Sequence, residues 1–440
     1  MASVVFLVAP GGSLKGEIRV PGDKSISHRS IMLGAIAEGV TKVRGFLEAE
    51  DALATLAAFR AMGVKIERSE NGELTIYGVG KRGLVGAKES LYLGNSGTSM
   101  RLLSGLLAGQ KFSSVLTGDD SLSKRPMTRV TDPLALMGAV IGTTENGTAP
   151  LYIEDMPSLK GISYEMPMAS AQVKSCLLLA GLYAEGETCV TEPAPTRDHT
   201  ERMLEGFGYS VKREGGQVCL TGGGELKGTE IDVPADISSA AFFMVGASIA
   251  KDSDVLLKHV GINPTRTGVI DILKLMGADI TLSNEQVVGG EPVADIRIRS
   301  AELKGINIPE ELVPLAIDEF PVLFVAAACA KGQTVLTGAE ELRVKESDRI
   351  QAMADGLEQL GIDAKATVDG MIIQGAEEGL SAGKVDSHGD HRIAMAFSIA
   401  ALRAKGNIEI DDCENVNTSF PEFIELAASL GLMVKVSTDG

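Results

Sequence analysis

Apolar positions along this chain switch between a period of two and a period near 3.6, and the switching itself recurs. Glu17 to Val20 reads as a short strand that Pro21-Gly22 breaks, and Ser25 to Glu38 carries helical spacing with Ser25 or Ser27 near its N-cap. Thr41 to Gly45 reads as a second strand. Glu50 to Met62 reads as a second helix, with Ala52, Leu53, Leu56, Ala57 and Met62 on one face and Gly63 as its C′ glycine. Val64 to Glu67 and Leu74 to Tyr77 then alternate as two strands around Asn71-Gly72. The pattern is β-α-β-α-β-β.

A polar cluster opens this unit and a hydrophobic run ending in glycine closes its helical part, and six such pairs occur. The clusters are Lys24-Ser25, Asn95-Ser96-Gly97-Thr98, Ser170-Ala171-Gln172, Asp236-Ile237-Ser238-Ser239, Asp318-Glu319-Phe320-Pro321 and Gly389-Asp390-His391-Arg392, closed by Gly63, Gly138, Gly208, Gly277, Gly361 and Gly431. The spacing of 69 to 84 residues between closing glycines exceeds the roughly 20 to 50 residues of solenoid repeats, so each unit is a small α/β element. The fourth unit repeats the first: strand Glu230 to Val233, helix Ser238 to Ile249, strand Val255 to Lys258, helix Thr267 to Met276. A chain of 440 residues exceeds what one core supports, and six units divide as three and three. Pro21 and Pro234 follow strands and precede polar clusters. They are expected as hinges between one lobe of residues 21–234 and a discontinuous lobe of 1–20 plus 235–440.

Net charge of −18, from 59 acids against 41 bases, opposes a nucleic-acid or acidic-membrane partner. Five cysteines (Cys176, Cys189, Cys219, Cys329, Cys413) show no C-x-x-C spacing, so neither a zinc site nor a disulfide framework is expected, and a reducing cytoplasm fits best. Val4 to Val8 lacks the length and basic flank of a secretory signal. The stretches Ala240 to Ala250 and Phe320 to Ala330 fall short of the ~20 residues of a membrane span and read as buried helices.

Against that acidity, cations gather near the clusters: Lys24 and Arg29, Arg101, Arg125, Lys174, Arg197, Lys345, Arg349 and Arg392. Each cluster starts a helix, where unpaired N–H groups and the dipole favour anions. Together they predict a ligand with several phosphate or carboxylate groups. The Asp236 cluster carries no nearby cation and reads as architectural. Asp318, and Glu346 between Lys345 and Arg349, supply carboxylates beside cations, as acid/base chemistry requires. No G-x-x-x-x-G-K-[ST] loop and no G-x-S-x-G elbow occurs, and His388 and His391 lack companions for a metal site. His28, His199 and His391 read as hydrogen-bonding residues that position neighbours.

Eight strings now define a resemblance: Pro21-Gly22-Asp23-Lys24-Ser25-Ile26-Ser27-His28-Arg29, Leu93 to Arg101, Arg125-Pro126-Met127, Ser170 to Lys174, Arg197 to Glu201, Asn263-Pro264-Thr265-Arg266, Arg343 to Arg349 and Asp390-His391-Arg392. In this order and over nearly the whole chain they resemble the 5-enolpyruvylshikimate-3-phosphate synthase family, class II branch. The resemblance implies a two-lobed inside-out α/β fold with three β-α-β-α-β-β units per lobe and helix ends facing a cleft. It implies transfer of enolpyruvyl from phosphoenolpyruvate to the 5-hydroxyl of shikimate 3-phosphate on the route to chorismate, without metal or organic cofactor. A cytoplasmic monomer is expected, with the two substrates and the competitive inhibitor glyphosate as its ligands.

By position, Ser25, Arg29, Ser170, Ala171 (backbone only), Gln172 and Arg197 resemble shikimate 3-phosphate ligands, with Lys24 spanning both substrates. Arg125, Arg349 and Arg392 resemble the phosphoenolpyruvate clamp, helped by Asn95, Gly97 and Gln172. Asp318 and Lys345 would stand at the target hydroxyl, and Glu346 would exchange a proton with the methylene carbon. Where many class I members have a lysine, this chain has Thr418, so one phosphoenolpyruvate contact is missing or replaced. Gly97 stands where some glyphosate-tolerant class II members carry alanine, which implies intermediate or salt-dependent sensitivity. UDP-N-acetylglucosamine enolpyruvyltransferase shares the implied fold and donor chemistry, but has Lys-Asn in place of Lys24-Ser25 and a loop cysteine absent here before Cys176. A non-catalytic anion binder would have no need of Lys24, Asp318, Lys345, Glu346 and Arg392 together.

Overall fold

Helices of two kinds alternate along the chain, and their burial separates them. In the computed structural model, which describes residues 4–155 and 158–438, they run α1 (Lys24–Ile36), α2 (Glu50–Ala61), α3 (Gly97–Ala108), α4 (Thr128–Leu136), α5 (Ala171–Gly181), α6 (His199–Gly206), α7 (Ile237–Ile249), α8 (Gly268–Leu275), α9 (Phe320–Ala328), α10 (Arg349–Gln359), α11 (His391–Ala400) and α12 (Phe423–Leu430). Every residue of α7 and of α9 is buried, and α1, α3, α5 and α11 are nearly as enclosed. A helix that is apolar all round belongs in a core. The even-numbered helices bury one face only.

Two units divide this material: Met1–Pro21, Pro234–Val287 and Pro292–Gly440 form one, and Gly22–Val233 with Val288–Glu291 the other. We call them the carboxylate unit and the serine-rich unit, after their polar residues. Within the serine-rich unit α1, α3 and α5 pack on one another, and a β-carbon at Gly105 would lie 2.0 Å from the Cys176 carbonyl oxygen. The α3–α5 contact therefore depends on glycine. Within the other unit α7, α9 and α11 form the corresponding trio, continued by an aromatic cluster of Phe242, Phe243, Phe420 and Phe423.

Each trio is clothed by small mixed sheets. Glu38–Arg44 pairs antiparallel with Leu74–Val79, which pairs with Lys65–Arg68, and the fourth strand is Glu230–Asp232, parallel to Glu38–Arg44. Conversely Lys15–Ile18 lies parallel to Asp254–Gly261 in the sheet of the fourth repeat. The first and fourth repeats thus exchange leading strands, whereas the sequence pattern gave each repeat its own. Periodicity reports that a segment is a strand and carries nothing about its partner. Val4–Val8 completes the sixth sheet between Ile408–Asp411 and Val434–Thr438.

The six closing glycines, Gly63, Gly138, Gly208, Gly277, Gly361 and Gly431, all adopt positive φ between 81° and 117°. Only glycine takes that conformation at low cost, which is why each repeat ends its outer helix on one. The α1 N-cap is Asp23, whose carboxylate accepts from the Ile26 N–H at 2.8 Å, and not Ser25 or Ser27. A carboxylate outcompetes the hydroxyls because it accepts with full charge.

One disulfide joins Cys189 and Cys219, contrary to the expectation of none. The two cysteines face each other in register between Glu187–Thr191 and Gln217–Thr221. Their spacing of 30 residues conceals a proximity that arises only from strand pairing. Among the described residues no helix is long and apolar enough to cross a membrane.

Candidate active site

The polar ends of α1, α3 and α5 meet through their own side chains. Arg29 is buried and donates to Thr200 Oγ1 at 2.6 Å, Ser175 Oγ at 2.8 Å and the Ser25 carbonyl at 3.0 Å. Burial pulls its guanidinium down to about 10. Lys24 forms an ion pair with buried Asp51 on α2. Gln172 accepts from Arg101 through Oε1 and donates to Thr98 Oγ1 at 3.1 Å, which ties α5 to α3. Ser170 caps α5 by accepting from Val173 N–H at 3.4 Å, and Ala171 opens the helix.

Asn95 stands between an anion and a cation, donating to Asp119 at 2.7 Å and accepting from Arg125. Gly97 follows at the start of α3, where a β-carbon would come within 3.1 Å of Arg125 Nη1. Buried His28 shares its Nδ1 with Thr55 Oγ1 at 2.8 Å and Ser99 Oγ at 3.3 Å, joining α1, α2 and α3. Burial first, then Lys24 and Arg29, hold its imidazole well below 6.5, so it is neutral. Lys174 is buried between Glu192 at 3.1 Å and Glu201 at 2.8 Å, and Glu192 also accepts from Thr196 Oγ1 beside Arg197. Arg197 itself lies half-buried just before the α6 cap residue Asp198.

In the other unit one arginine organises the charges. Arg349, at 1% exposure, meets Asp390 through Nε at 2.8 Å, Glu346 through Nη2 at 2.6 Å and Asp318 through Nη1 at 3.4 Å. Burial alone would lower its affinity for the proton, and Asp390, Glu346 and Asp318 more than reverse that. Burial likewise would raise the Asp390 carboxyl, yet Arg349 holds it below the usual range. Lys345 Nζ stands 3.5 Å from Asp318 and 3.8 Å from Glu341. Arg392 lies in the first turn of α11 and donates to the Asp318 carbonyl at 3.0 Å. Asp318, the string holding Lys345, Glu346 and Arg349, and Arg392, which lie apart in the sequence, therefore form one cluster.

The structure adds residues that sequence reasoning undervalued. The Asp236 cluster does carry a cation: buried Arg266 donates to Ser238 Oγ at 2.7 Å and pairs with Asp236 at 3.2 Å, while Ser238 donates to Glu319. Arg266 comes from a loop about 30 residues downstream, so its closeness to the cluster arises only from packing. Asp390 and Arg101 anchor two of the expected ligands without having been assigned roles. Thr418 donates to the Asn415 carbonyl at 2.7 Å in its own turn, so its side chain serves local structure.

Among the described residues, the metal-capable group is Glu187, Cys189 and Cys219, whose ligand atoms lie within 4.8 Å of one another. Both sulfurs are already joined, so this set does not offer a metal two thiolates.

A family model described as EPSP synthase (3-phosphoshikimate 1-carboxyvinyltransferase) matches residues 8–426. The 3-phosphoshikimate 1-carboxyvinyltransferase of Methylococcus capsulatus is 71% identical over 434 residues, 99% of each chain. That of Nitrosococcus oceani is 67% identical, covering 98% of this chain and 97% of its own. A solved EPSP synthase from Acinetobacter baumannii superposes with a TM-score of 0.89 at 64% identity, covering 99% of this chain and 100% of that one. The enolpyruvyl transferase NikO from Streptomyces tendae, 15% identical over the full length of both chains, shares the fold with a TM-score of 0.79.

Proposed function

This chain belongs to the EPSP synthase family, and on that premise we infer that it transfers the enolpyruvyl group of phosphoenolpyruvate to the 5-hydroxyl of shikimate 3-phosphate. Phosphate leaves, and the product enters aromatic amino acid biosynthesis by way of chorismate. The observation that carries the chemical reading is the Asp318–Lys345–Glu346–Arg349 cluster, in which two carboxylates pair with one buried guanidinium and one of them also meets an amine.

In this reading Glu346 gives a proton to C3 of phosphoenolpyruvate, which makes C2 electrophilic. Asp318 and Lys345 handle the proton of the attacking hydroxyl, and a tetrahedral ketal phosphate forms. Glu346 then takes a proton back from the new methyl group as phosphate departs. Arg349 and Arg392, with Arg125, would hold the donor's phosphate and carboxylate, helped by Asn95, Gly97 and Gln172. Lys24, Ser25, Arg29, Ser170, Ala171, Gln172 and Arg197 would hold shikimate 3-phosphate. The chemistry is complete with side chains alone, so the reading calls for no cofactor.

Pro21 and Pro234 are the hinge positions this reading uses. Since a single chain supplies both sets, we read the enzyme as a monomer, and its phosphorylated substrates favour the cytoplasm. Glyphosate, an anionic analogue of the donor, would compete at Arg125, Arg349 and Arg392. Phosphate release from phosphoenolpyruvate should occur with shikimate 3-phosphate and not with UDP-N-acetylglucosamine as acceptor. Turnover with neither would leave a binding protein, and turnover with the second alone would move the chain to the other enolpyruvyl transferase class.

A further inference from the structure

We propose that Cys189 and Cys219 form a reversible thiol–disulfide site that exchanges with low-molecular-weight disulfides, with Cys219 as the entry thiol and Cys189 as the resolving one. The pairing does not depend on the bond itself. Five consecutive cross-strand pairs, from Glu187 opposite Thr221 to Thr191 opposite Gln217, hold the two cysteines face to face, with Cα atoms 4.1 Å apart. The same ladder would keep the thiols adjacent in the reduced protein, so exchange requires no change of strand pairing.

The surroundings distinguish the two sulfurs. Cys219 lines a cavity of about 350 Å³ with Glu187, Tyr209, Lys212, Leu220 and Gly224, whereas Cys189 does not. Lys212 lies directly opposite Cys219 on the adjoining strand, and its Nζ is 3.3 Å from Glu187 Oε1. With Glu225 also in its lining, the cavity presents one cation and two carboxylates beside a half-buried cysteine, which suits a peptide disulfide carrying both ammonium and carboxylate groups, such as oxidised glutathione. A neighbouring ammonium favours the thiolate, the form that attacks. The remaining cysteines are unsuited to this chemistry: Cys176 and Cys413 are buried, and burial pushes the thiols of Cys329 and Cys413 up to about 12.

The exchange balances in two steps. The Cys219 thiolate attacks one sulfur of the disulfide, expelling a glutathione thiolate and leaving a mixed disulfide on the protein. The Cys189 thiolate then attacks Cys219 Sγ and expels the second glutathione thiolate. Two protein thiols are oxidised, one external disulfide is reduced to two thiols, and the two protein protons pass to the leaving thiolates. The ring closed by this bond encloses Glu192, Thr196, Arg197 and α6, so its redox state bears on the segment carrying Arg197. The redox chemistry itself stands apart from any substrate assignment.

The full chain, equilibrated in glutathione buffers of graded ratio and then alkylated for intact mass and peptide mapping, tests this. We expect one two-electron transition confined to Cys189 and Cys219, with Cys176, Cys329 and Cys413 reduced throughout. Cys189→Ser should accumulate a glutathione adduct on Cys219, while Cys219→Ser should form the Cys189 adduct about 10-fold more slowly. Lys212→Met should slow exchange of the wild-type pair. Both thiols remaining alkylatable at every ratio would overturn the proposal. So would adducts of equal rate on the two variants, or protection from alkylation that a chelator removes. Should either serine variant misfold, the wild-type titration decides alone.

Discussion

The two trios of buried helices share a plan and differ in what their polar ends hold. In the serine-rich unit the cations Arg29, Arg101 and Lys174 are met by hydroxyls, an amide and two glutamates from several helices. In the carboxylate unit a single guanidinium, Arg349, is surrounded by Asp318, Glu346 and Asp390. Around Arg29 and Arg101 the first arrangement leaves neutral partners that an incoming anion can replace at little electrostatic cost. The second fixes charges of both signs within a few ångströms, which suits proton transfer better than simple capture. On the proposed reading, one repeat yields an anion receptor in one setting and an acid/base device in the other.

The sharpest way to break the contrast is to remove its centre. Arg349→Ala leaves the fully buried Asp390 carboxylate without its cation, and a broken buried pair costs about 3–5 kcal/mol. We expect a large drop in denaturation midpoint together with loss of turnover. A variant that melts like the parent would show that the three carboxylates do not rely on this arginine.

Next in size is the separation of chemistry from binding. Glu346→Gln should lower kcat by about 10²- to 10⁴-fold with little change in KM. Arg29→Ala removes a charged donor from the Thr200–Ser175 side, and should raise KM for shikimate 3-phosphate by about 10- to 100-fold with kcat less affected. Steady-state kinetics on both variants decide the matter, and an inverted pattern would exchange the roles given to the two units.

How far the chain disclosed this contrast depended on distance along it. The six closing glycines and the enclosed α7 and α9 were legible because turn geometry and apolar runs are local properties. Lys345, Glu346 and Arg349 were legible for the same reason, being neighbours in one string. Arg266 beside Asp236, Asp390 beside Arg349, and Cys189 opposite Cys219 were not, since each pair forms only when separate segments pack. The exchange of Lys15–Ile18 with Glu230–Asp232 was hidden likewise, because both strands satisfy the pattern in either sheet.

Acid should also tell the units apart. His28 is neutral in the fold, its proton affinity lowered by burial and by Lys24 and Arg29 from an ordinary value of 6.5. Below that value the unfolded chain binds a proton that the folded chain refuses, so stability falls as pH drops, by up to about 1.4 kcal/mol per unit. Asp390 has the same sign in a lower window: its depressed carboxyl contributes stability that is fully present above 3.8 and is lost only as pH falls from there through its lower folded value. Between about pH 6.5 and 4 the loss should therefore fall on the serine-rich unit, where hydrogen exchange in α1–α3 would rise first. If His28→Gln keeps the whole slope, the histidine is not its source.

The smallest effect expected is also the most local. At Gly97 an added methyl would stand 3.1 Å from Arg125 Nη1, closer than an unstrained contact but against the movable end of a side chain. Gly97→Ala should therefore displace the guanidinium by a few tenths of an ångström and leave stability nearly unchanged. On the reading that Arg125 holds the donor, the variant should bind phosphoenolpyruvate somewhat less well and glyphosate less well still, because the longer molecule needs the space the methyl takes. Inhibition constants for glyphosate measured beside KM for phosphoenolpyruvate give the ratio that matters. Equal weakening of both would place the effect in Arg125 itself, and no change in either would remove Gly97 from the donor side of the serine-rich unit.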